Sequence, residues 1–131
     1  MSNYYELEVW QKSRALTSEV YRITRDFPRV EMFGLTQQMR RAAVSVPSNI
    51  AEAHGRRSDA DIVRFLLIAR GSLLELETEA IIAGDLDYIA PAATQSLLAR
   101  IGEAVRLLNG LIRHYARRQT PADRRPRTAD R

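Results

Sequence analysis

The sequence predicts an all-α protein that folds as an antiparallel up-down four-helix bundle. Apolar residues recur at steps of three and four along four segments of about 22 residues each, a spacing that is typical of amphipathic helices. The period-two alternation of β-branched residues that indicates strands is absent. The connections between the four segments are short, and short connections place consecutive helices antiparallel.

The first two predicted helices are both shaped by proline. The first covers about residues 5–26 and stops because Phe27 precedes Pro28, and the residue before a proline avoids helical angles. The second covers about residues 33–54 and carries Pro47 in its interior. Proline donates no backbone hydrogen bond and its ring clashes with the carbonyl four residues earlier, so we expect the second helix to bend there.

The third and fourth predicted helices have the most regular apolar seams. The third is capped by Ser58 and is expected to end at Gly84. Its seam alternates steps of four and three through Ile62, Leu66, Ala69, Leu73, Leu76, Ala80 and Ala83. The fourth starts near Pro91, a favoured first-turn residue, and runs to about Arg117. It also carries a heptad repeat that we expect only to widen its core-facing stripe, formed by Leu98, Val105 and Ile112.

The third helix carries a second apolar stripe outside its seam. Leu67, Leu74 and Ile81 recur every seven residues at the b position, with Ile68 and Ile82 beside them. Because position b normally faces water, we expect this stripe to be an interface with another copy of the chain. An amphipathic membrane helix is the rival interpretation, but the stripe lacks the Lys/Arg-flanked polar face that such a helix needs.

The net charge of +4 is confined to the end of the chain. Residues 1–116, which we assign to the bundle, hold fourteen basic and fourteen acidic residues. Residues 117–131 hold six arginines, two aspartates and no large apolar residue, so we expect a disordered arginine-rich tail. A bundle with no net charge gives no general reason to bind a polyanion, and any such binding has to depend on local patches.

The sequence offers no chemistry that would suit a catalyst. It has no cysteine, which excludes disulfides and thiolate sites. His54 and His114 show no metal-ligand spacing, and no phosphate-binding glycine loop or nucleophile elbow occurs. Glu75, Glu77 and Glu79 are expected to form a solvated or ion-paired face. We therefore expect no catalytic residue, no cofactor, no metal and no enzyme activity, and no small-molecule substrate is evident.

The hydropathy of the chain favours a cytoplasmic protein without a membrane partner. Residues 1–9 contain two acidic side chains and no apolar run, unlike a signal peptide. The longest uncharged stretches, 42–51 and 88–99, are much shorter than a membrane span.

Arginine is the basic residue of this chain, at 19 to one lysine, and it suits bidentate pairing with either phosphate or carboxylate. The candidate nucleic-acid contacts are Arg40, Arg41, Arg56, Arg57, Arg117, Arg118, Arg124 and Arg125. For Arg40 and Arg41 we favour the alternative that one of them pairs with Glu75 or Glu77 across helices or subunits. For the other arginines both interpretations stay open.

Several motifs of the chain resemble one known family. They read Leu7-x-Val9-Trp10-Gln11-Lys12, Phe27-Pro28, Glu31-x-Phe33-Gly34-Leu35-Thr36, Gln38-x-Arg40-Arg41-Ala42-Ala43-x-Ser45-x-Pro47-x-Asn49-Ile50-Ala51-Glu52, Gly71-Ser72-Leu73 and Glu75-Leu76-Glu77. This set is similar to the bacterial four-helix-bundle proteins first found as open reading frames in intervening sequences of 23S ribosomal RNA genes. Ala53 departs from the pattern, since the family usually has glycine there.

The resemblance implies an antiparallel bundle that assembles as a ring, typically a pentamer. Accessory proteins of diversity-generating retroelements, which bind a reverse transcriptase and nucleic acid, look like relatives. Two functions follow as hypotheses. The first is a homo-oligomeric module that binds RNA, DNA or a nucleic-acid enzyme through its arginine-rich patches. The alternative is a self-assembling protein-interaction scaffold with no nucleic-acid role.

Overall fold

The computed structural model describes residues 3–118, all of whose regular structure is helical. Two short 3₁₀ turns, Tyr4–Glu6 and Arg29–Glu31, precede the first and second long helices. The long helices are α1 (Glu8–Thr24), α2 (Leu35–His54), α3 (Asp59–Asp85) and α4 (Pro91–Arg118). The predicted all-α class and the number of helices are confirmed.

The four helices pack around a shared core. Helix α1 lies next to α2 and α4, and α3 also lies next to α2 and α4, while no Cα atoms of the diagonal pairs approach within 8 Å. Across the α3–α4 boundary, Arg70 donates to Asn109 and Asp59 pairs with Arg118. Residue numbers therefore rise along one helix as they fall along the other, the pairing expected of antiparallel neighbours. The structure is a four-helix bundle.

The core contains the predicted seam of α3 and apolar residues of the other three helices. On α3 every seam residue from Leu66 to Ala83 is buried, and only Ile62 is half-buried. The repeat predicted to widen the stripe of α4 does so, because Leu98 and Val105 pack against the core and Ile112 is buried within it. The seams thus position the remaining faces of each helix relative to the other helices.

Helix α3 begins as predicted and ends differently. Ser58 Oγ accepts a hydrogen bond from the Asp61 backbone N–H at 3.1 Å. Gly84 does not end the helix, which continues to Asp85 and is closed by Asp87 in the left-handed region at φ 63°. The Tyr88 and Asp87 N–H groups then donate to carbonyls of the last turn. Gly84 instead permits close packing, since a Cβ there would lie 3.1 Å from Thr94 Oγ1 of α4.

Pro47 lies inside α2, and a neighbouring helix satisfies the carbonyl that it leaves without a partner. Proline at this position cannot donate to the Ala43 carbonyl four residues earlier. Thr17 Oγ1 of α1 lies 3.0 Å from that carbonyl oxygen and 2.9 Å from the Ser13 carbonyl of its own helix. The Ser13 carbonyl keeps its intrahelical bond, so the hydroxyl matters more at Ala43. The predicted bend at Pro47 stays a prediction.

Helix α4 includes the first two residues of the predicted tail. Arg117 and Arg118 form the last turn of α4, where cationic side chains interact favourably with the helix dipole. The rest of the predicted tail, with Arg124 and Arg125, lies outside the described residues. Over residues 3–118, no helix is both long enough and apolar enough to cross a membrane.

Candidate functional site

Helix α3 carries an apolar face on its surface. Five large aliphatic side chains form it, each 40–48% exposed: Leu67, Ile68, Leu74, Ile81 and Ile82. Neighbouring positions of the same helix, such as Leu66 and Leu73, are almost completely buried. The core of the protomer therefore does not bury these five side chains. A side chain of the predicted interface has to be exposed in this way.

The centre of this apolar face is open down to the helix backbone. Gly71 lies one turn after Leu67 and one turn before Leu74, and a Cβ placed on it would meet no atom within 4 Å. Glycine inside a helix costs about 0.5–1 kcal/mol relative to alanine, and no packing contact of the protomer needs it here. The apolar face can therefore receive another helix at short range.

The predicted basic residues near the α2–α3 connection lie at one end of the bundle. Arg118 Nε lies 3.1 Å from Asp59 Oδ2, which brings the end of α4 to the start of α3. Arg56 pairs with Glu52 and stacks on a phenylalanine ring of α3. Arg57 is exposed and makes no ion pair or hydrogen bond with the rest of the described chain.

Arg56 and Arg118 therefore form ion pairs with acidic side chains, whereas Arg57 and Arg117 do not. Arg117, like Arg57, is exposed without a polar partner among residues 3–118. Arg56 and Arg118 each retain guanidinium N–H groups beyond those used in their ion pairs, since a guanidinium carries five. We call the four residues Arg56, Arg57, Arg117 and Arg118 the basic end.

Within the protomer, neither Arg40 nor Arg41 pairs with Glu75 or Glu77. Arg40 points to α1, where its Nε donates to Thr24 Oγ1 at 2.8 Å and its guanidinium lies 4.6 Å from the centre of the Tyr21 ring. Neither arginine lies within 4 Å of a Glu75 or Glu77 carboxylate oxygen in the described protomer. Within the protomer Arg40 contacts α1 because α1, and not α3, lies on that side of α2. The predicted pairing across subunits stays a prediction.

Arg41 instead borders a polar cleft between α2 and α3. The α2–α3 cleft has a volume of about 280 Å³ and is lined by Gln38, Arg41, Ala42, Ser45, Ser72, Glu75 and Glu79. The two serine hydroxyl oxygens lie 2.8 Å apart and join the helices, and Asn49 donates to Ser45. These contacts form one wall of the cleft.

Glu79 is the unusual residue of this cleft. Only 8% of its surface is exposed, and its Oε1 has no hydrogen-bond partner in the structure. Burial, and secondarily the nearby Glu75 carboxylate, raises the pKa of Glu79 to about 7. The expectation of a solvated or ion-paired face was therefore wrong for Glu79. The sequence did contain a signal for this burial, because Glu79 lies directly beside the seam and seven residues after Ser72.

The described side chains offer no arrangement of metal ligands. In residues 3–118, no group of three or more histidine, cysteine, aspartate or glutamate side chains comes together.

Comparisons with known proteins agree with this architecture. A family model described as "23S rRNA-intervening sequence protein" matches residues 5–110. A solved structure from Bacteroides thetaiotaomicron, a protein of unknown function from the S23 ribosomal protein family, is 25% identical to the chain. The two superpose with a TM-score of 0.72 over 79% of this chain and 97% of that one. No curated protein sequence matches.

Proposed function

The chain belongs to the family of 23S rRNA-intervening sequence proteins, and from this premise we propose a function with two parts. The chain is a non-enzymatic four-helix-bundle protein that assembles with copies of itself through the apolar face of α3. The assembly presents its basic ends to RNA or DNA. The observation that carries the proposal is the exposure of Leu67, Leu74 and Ile81 on one line of one helix.

The length and composition of the apolar face support self-assembly. It extends from residue 67 to residue 82, about 22 Å at 1.5 Å per residue. Gly71, Glu75 and Thr78 lie among the five aliphatic side chains, but a mainly aliphatic surface of this length is a liability on a monomer and is typical of an interface. Other copies of the chain are present wherever the protein is present, and most soluble oligomers are homo-oligomers.

The family resemblance favours five copies in a ring. A ring joins two different patches of successive subunits, whereas a twofold dimer uses one patch twice. In a ring, the apolar face of one copy therefore meets another surface of the next copy, and the basic ends are repeated around the axis. Such repetition gives a polyanion several contacts at once.

The basic end supports the second part of the proposal. Arg57 and Arg117 are exposed and unpaired in the part of the chain that the structure describes, so binding a phosphate would break no ion pair there. The predicted tail, with Arg124 and Arg125, continues from the same end. Arginine contacts to phosphate make affinity strongly dependent on salt.

Size-exclusion chromatography with light scattering tests the assembly. The unaltered protein is expected to elute as an oligomer, and Leu74→Glu to elute as a monomer with unchanged helical circular dichroism. Val44→Glu is the matched control, because Val44 is also an aliphatic residue exposed by 42%, but on α2. A monomeric unaltered protein at micromolar concentration would contradict the proposal.

A titration with labelled RNA and DNA at two salt concentrations tests the nucleic-acid part. We expect binding at low salt that weakens as salt rises, with a shallower salt dependence for the double variant Arg57→Ala/Arg117→Ala. Arg100→Ala is the control, since Arg100 is an exposed arginine of α4 away from the basic end. A chain ending at residue 118 separates the tail from the bundle. If no version binds at low salt, the self-assembling scaffold without a nucleic-acid role is the better description.

A further inference from the structure

The α2–α3 cleft has the composition of a site for a cation. Glu75 and Glu79 lie one turn apart on α3 and both border the cleft, whereas Arg41 of α2 is the one basic residue in the lining. Arg41 makes no ion pair with either carboxylate. When both carboxylates are ionised, the lining has a net charge of −1, which disfavours a phosphate or carboxylate ligand.

The cleft also contains an acceptor that lacks a donor. Glu79 is more than nine-tenths buried, and its Oε1 is itself buried and receives no hydrogen bond, while the residue as a whole lines the open cleft. A buried acceptor without a donor is unfavourable, and an ionised one more so. Two serine hydroxyls and a glutamine of the protomer also line the cleft, but none of them donates to Glu79 Oε1.

We propose that the α2–α3 cleft binds a guanidinium or primary ammonium group, which donates hydrogen bonds to Glu79 and to the Glu75 carboxylate. The volume of about 280 Å³ lies at the small end of ligand sites, so the cleft takes a cationic head group and not a nucleotide. A metal ion is disfavoured, because hard cations such as Ca²⁺ take six to eight oxygen ligands and two carboxylates supply few of them.

Two sources can present this head group. One is a small organic cation, and the other is an arginine side chain of a second copy of the chain. Glu75 lies seven residues after Ile68 and seven before Ile82, so the rim of the cleft is in line with the apolar face. An arginine of a neighbouring subunit seated on that face would therefore be within reach of the cleft. This second source depends on the proposed self-assembly, and the first does not.

Carbon-13 NMR of the Glu79 carboxyl in the unaltered full-length protein tests the proposal directly. Methylguanidinium chloride is the probe, and tetramethylammonium chloride, which has the same charge and no N–H donor, is its control. We expect saturating methylguanidinium to lower the pKa of Glu79 by about one unit, because a nearby positive charge favours the ionised carboxylate. Tetramethylammonium is expected to leave the Glu79 titration unchanged.

Two variants and a mass measurement assign the source. Glu79→Gln is expected to weaken the saturable binding of methylguanidinium about tenfold or more, and Glu77→Gln, which changes a carboxylate outside the cleft, to leave it within about twofold. If the oligomer formed by Glu79→Gln has the same mass as that of the unaltered protein, the ligand is a small cation. If the Glu79→Gln oligomer has a lower mass, and excess methylguanidinium lowers the mass of the unaltered protein in the same way, the head group comes from an arginine of a second copy. If neither the Glu79 titration nor the oligomer mass responds, the proposal is wrong, whether or not the protein assembles.

Discussion

Replacing Glu79 by glutamine is expected to change how the stability of the protein depends on pH. The unaltered carboxyl has its folded-state pKa raised from 4.5 to about 7, first by burial and then by Glu75. A group whose pKa is raised on folding stabilises the protein fully below its unfolded-state pKa. That stabilisation is lost as the pH rises from 4.5 through 7. Glutamine has a similar shape and no charge, so Glu79→Gln does not have this dependence.

The size of the effect follows from the shift in pKa. One pKa unit corresponds to about 1.4 kcal/mol, so a shift from 4.5 to 7 sets an upper limit of about 3.5 kcal/mol. The cleft admits water and Arg41 borders it, and both reduce the cost of the ionised form. We therefore expect the free energy of unfolding of Glu79→Gln, relative to the unaltered protein, to rise by about 1.5–3 kcal/mol between pH 4 and pH 8.

Urea unfolding followed by circular dichroism at pH 4, 6 and 8 measures this difference. One protein concentration is used throughout, because self-association makes apparent stability depend on concentration. Any cost of burying the amide group is the same at each pH and cancels in the comparison. Glu77→Gln serves as the control and is expected to show no such rise. If the stability difference for Glu79→Gln is the same at pH 4 and pH 8, within about 0.5 kcal/mol, the reasoning from burial is refuted.

Three further predictions concern the packing of the helices. Thr17→Val is expected to lower the free energy of unfolding by about 1–2 kcal/mol, because it leaves a proline-freed carbonyl without a donor. Thr78→Val removes a hydroxyl that bonds only to its own helix and is expected to cost less. Because Thr78 lies between Leu74 and Ile81 on the apolar face, both variants are compared in the Leu74→Glu background. Urea denaturation of both variants measures the contrast, and equal losses would contradict it. In the Leu74→Glu monomer, Gly71→Ala is expected to raise the melting temperature. In the otherwise unaltered chain, the same substitution is expected to weaken assembly. Gly84→Ala is expected to gain less stability than Gly71→Ala, because its Cβ crowds α4. Calorimetry and light scattering check these outcomes, and a stronger gain from Gly84→Ala would count against the packing argument. Ser58→Ala is expected to cost about 1 kcal/mol, measured by thermal unfolding, and a neutral effect would mean that the cap is not what stabilises the start of α3.

The sequence predicted the helices to within a few residues because the signals for them are local. The seam of α3 and the Ser58 cap depend only on spacing along one helix, and both are present as predicted. The end of α3 was misplaced because Asp87 occupies a left-handed position that the pattern assigned to glycine, while Gly84 is used for close packing on α4. A glycine in a sequence does not reveal which of these two demands it meets.

Some features of the candidate site could likewise be predicted from the sequence, and others depend on the tertiary structure. Heptad spacing by itself determined that Leu67, Leu74 and Ile81 share a line away from the core, and their exposure agrees with it. Only the tertiary structure decided that Arg40 contacts α1 and that Glu79 is buried beside α2. The physical reason is that periodicity gives the angle of a side chain around its own helix, whereas its partners and its exposure depend on which neighbouring helix lies at that angle.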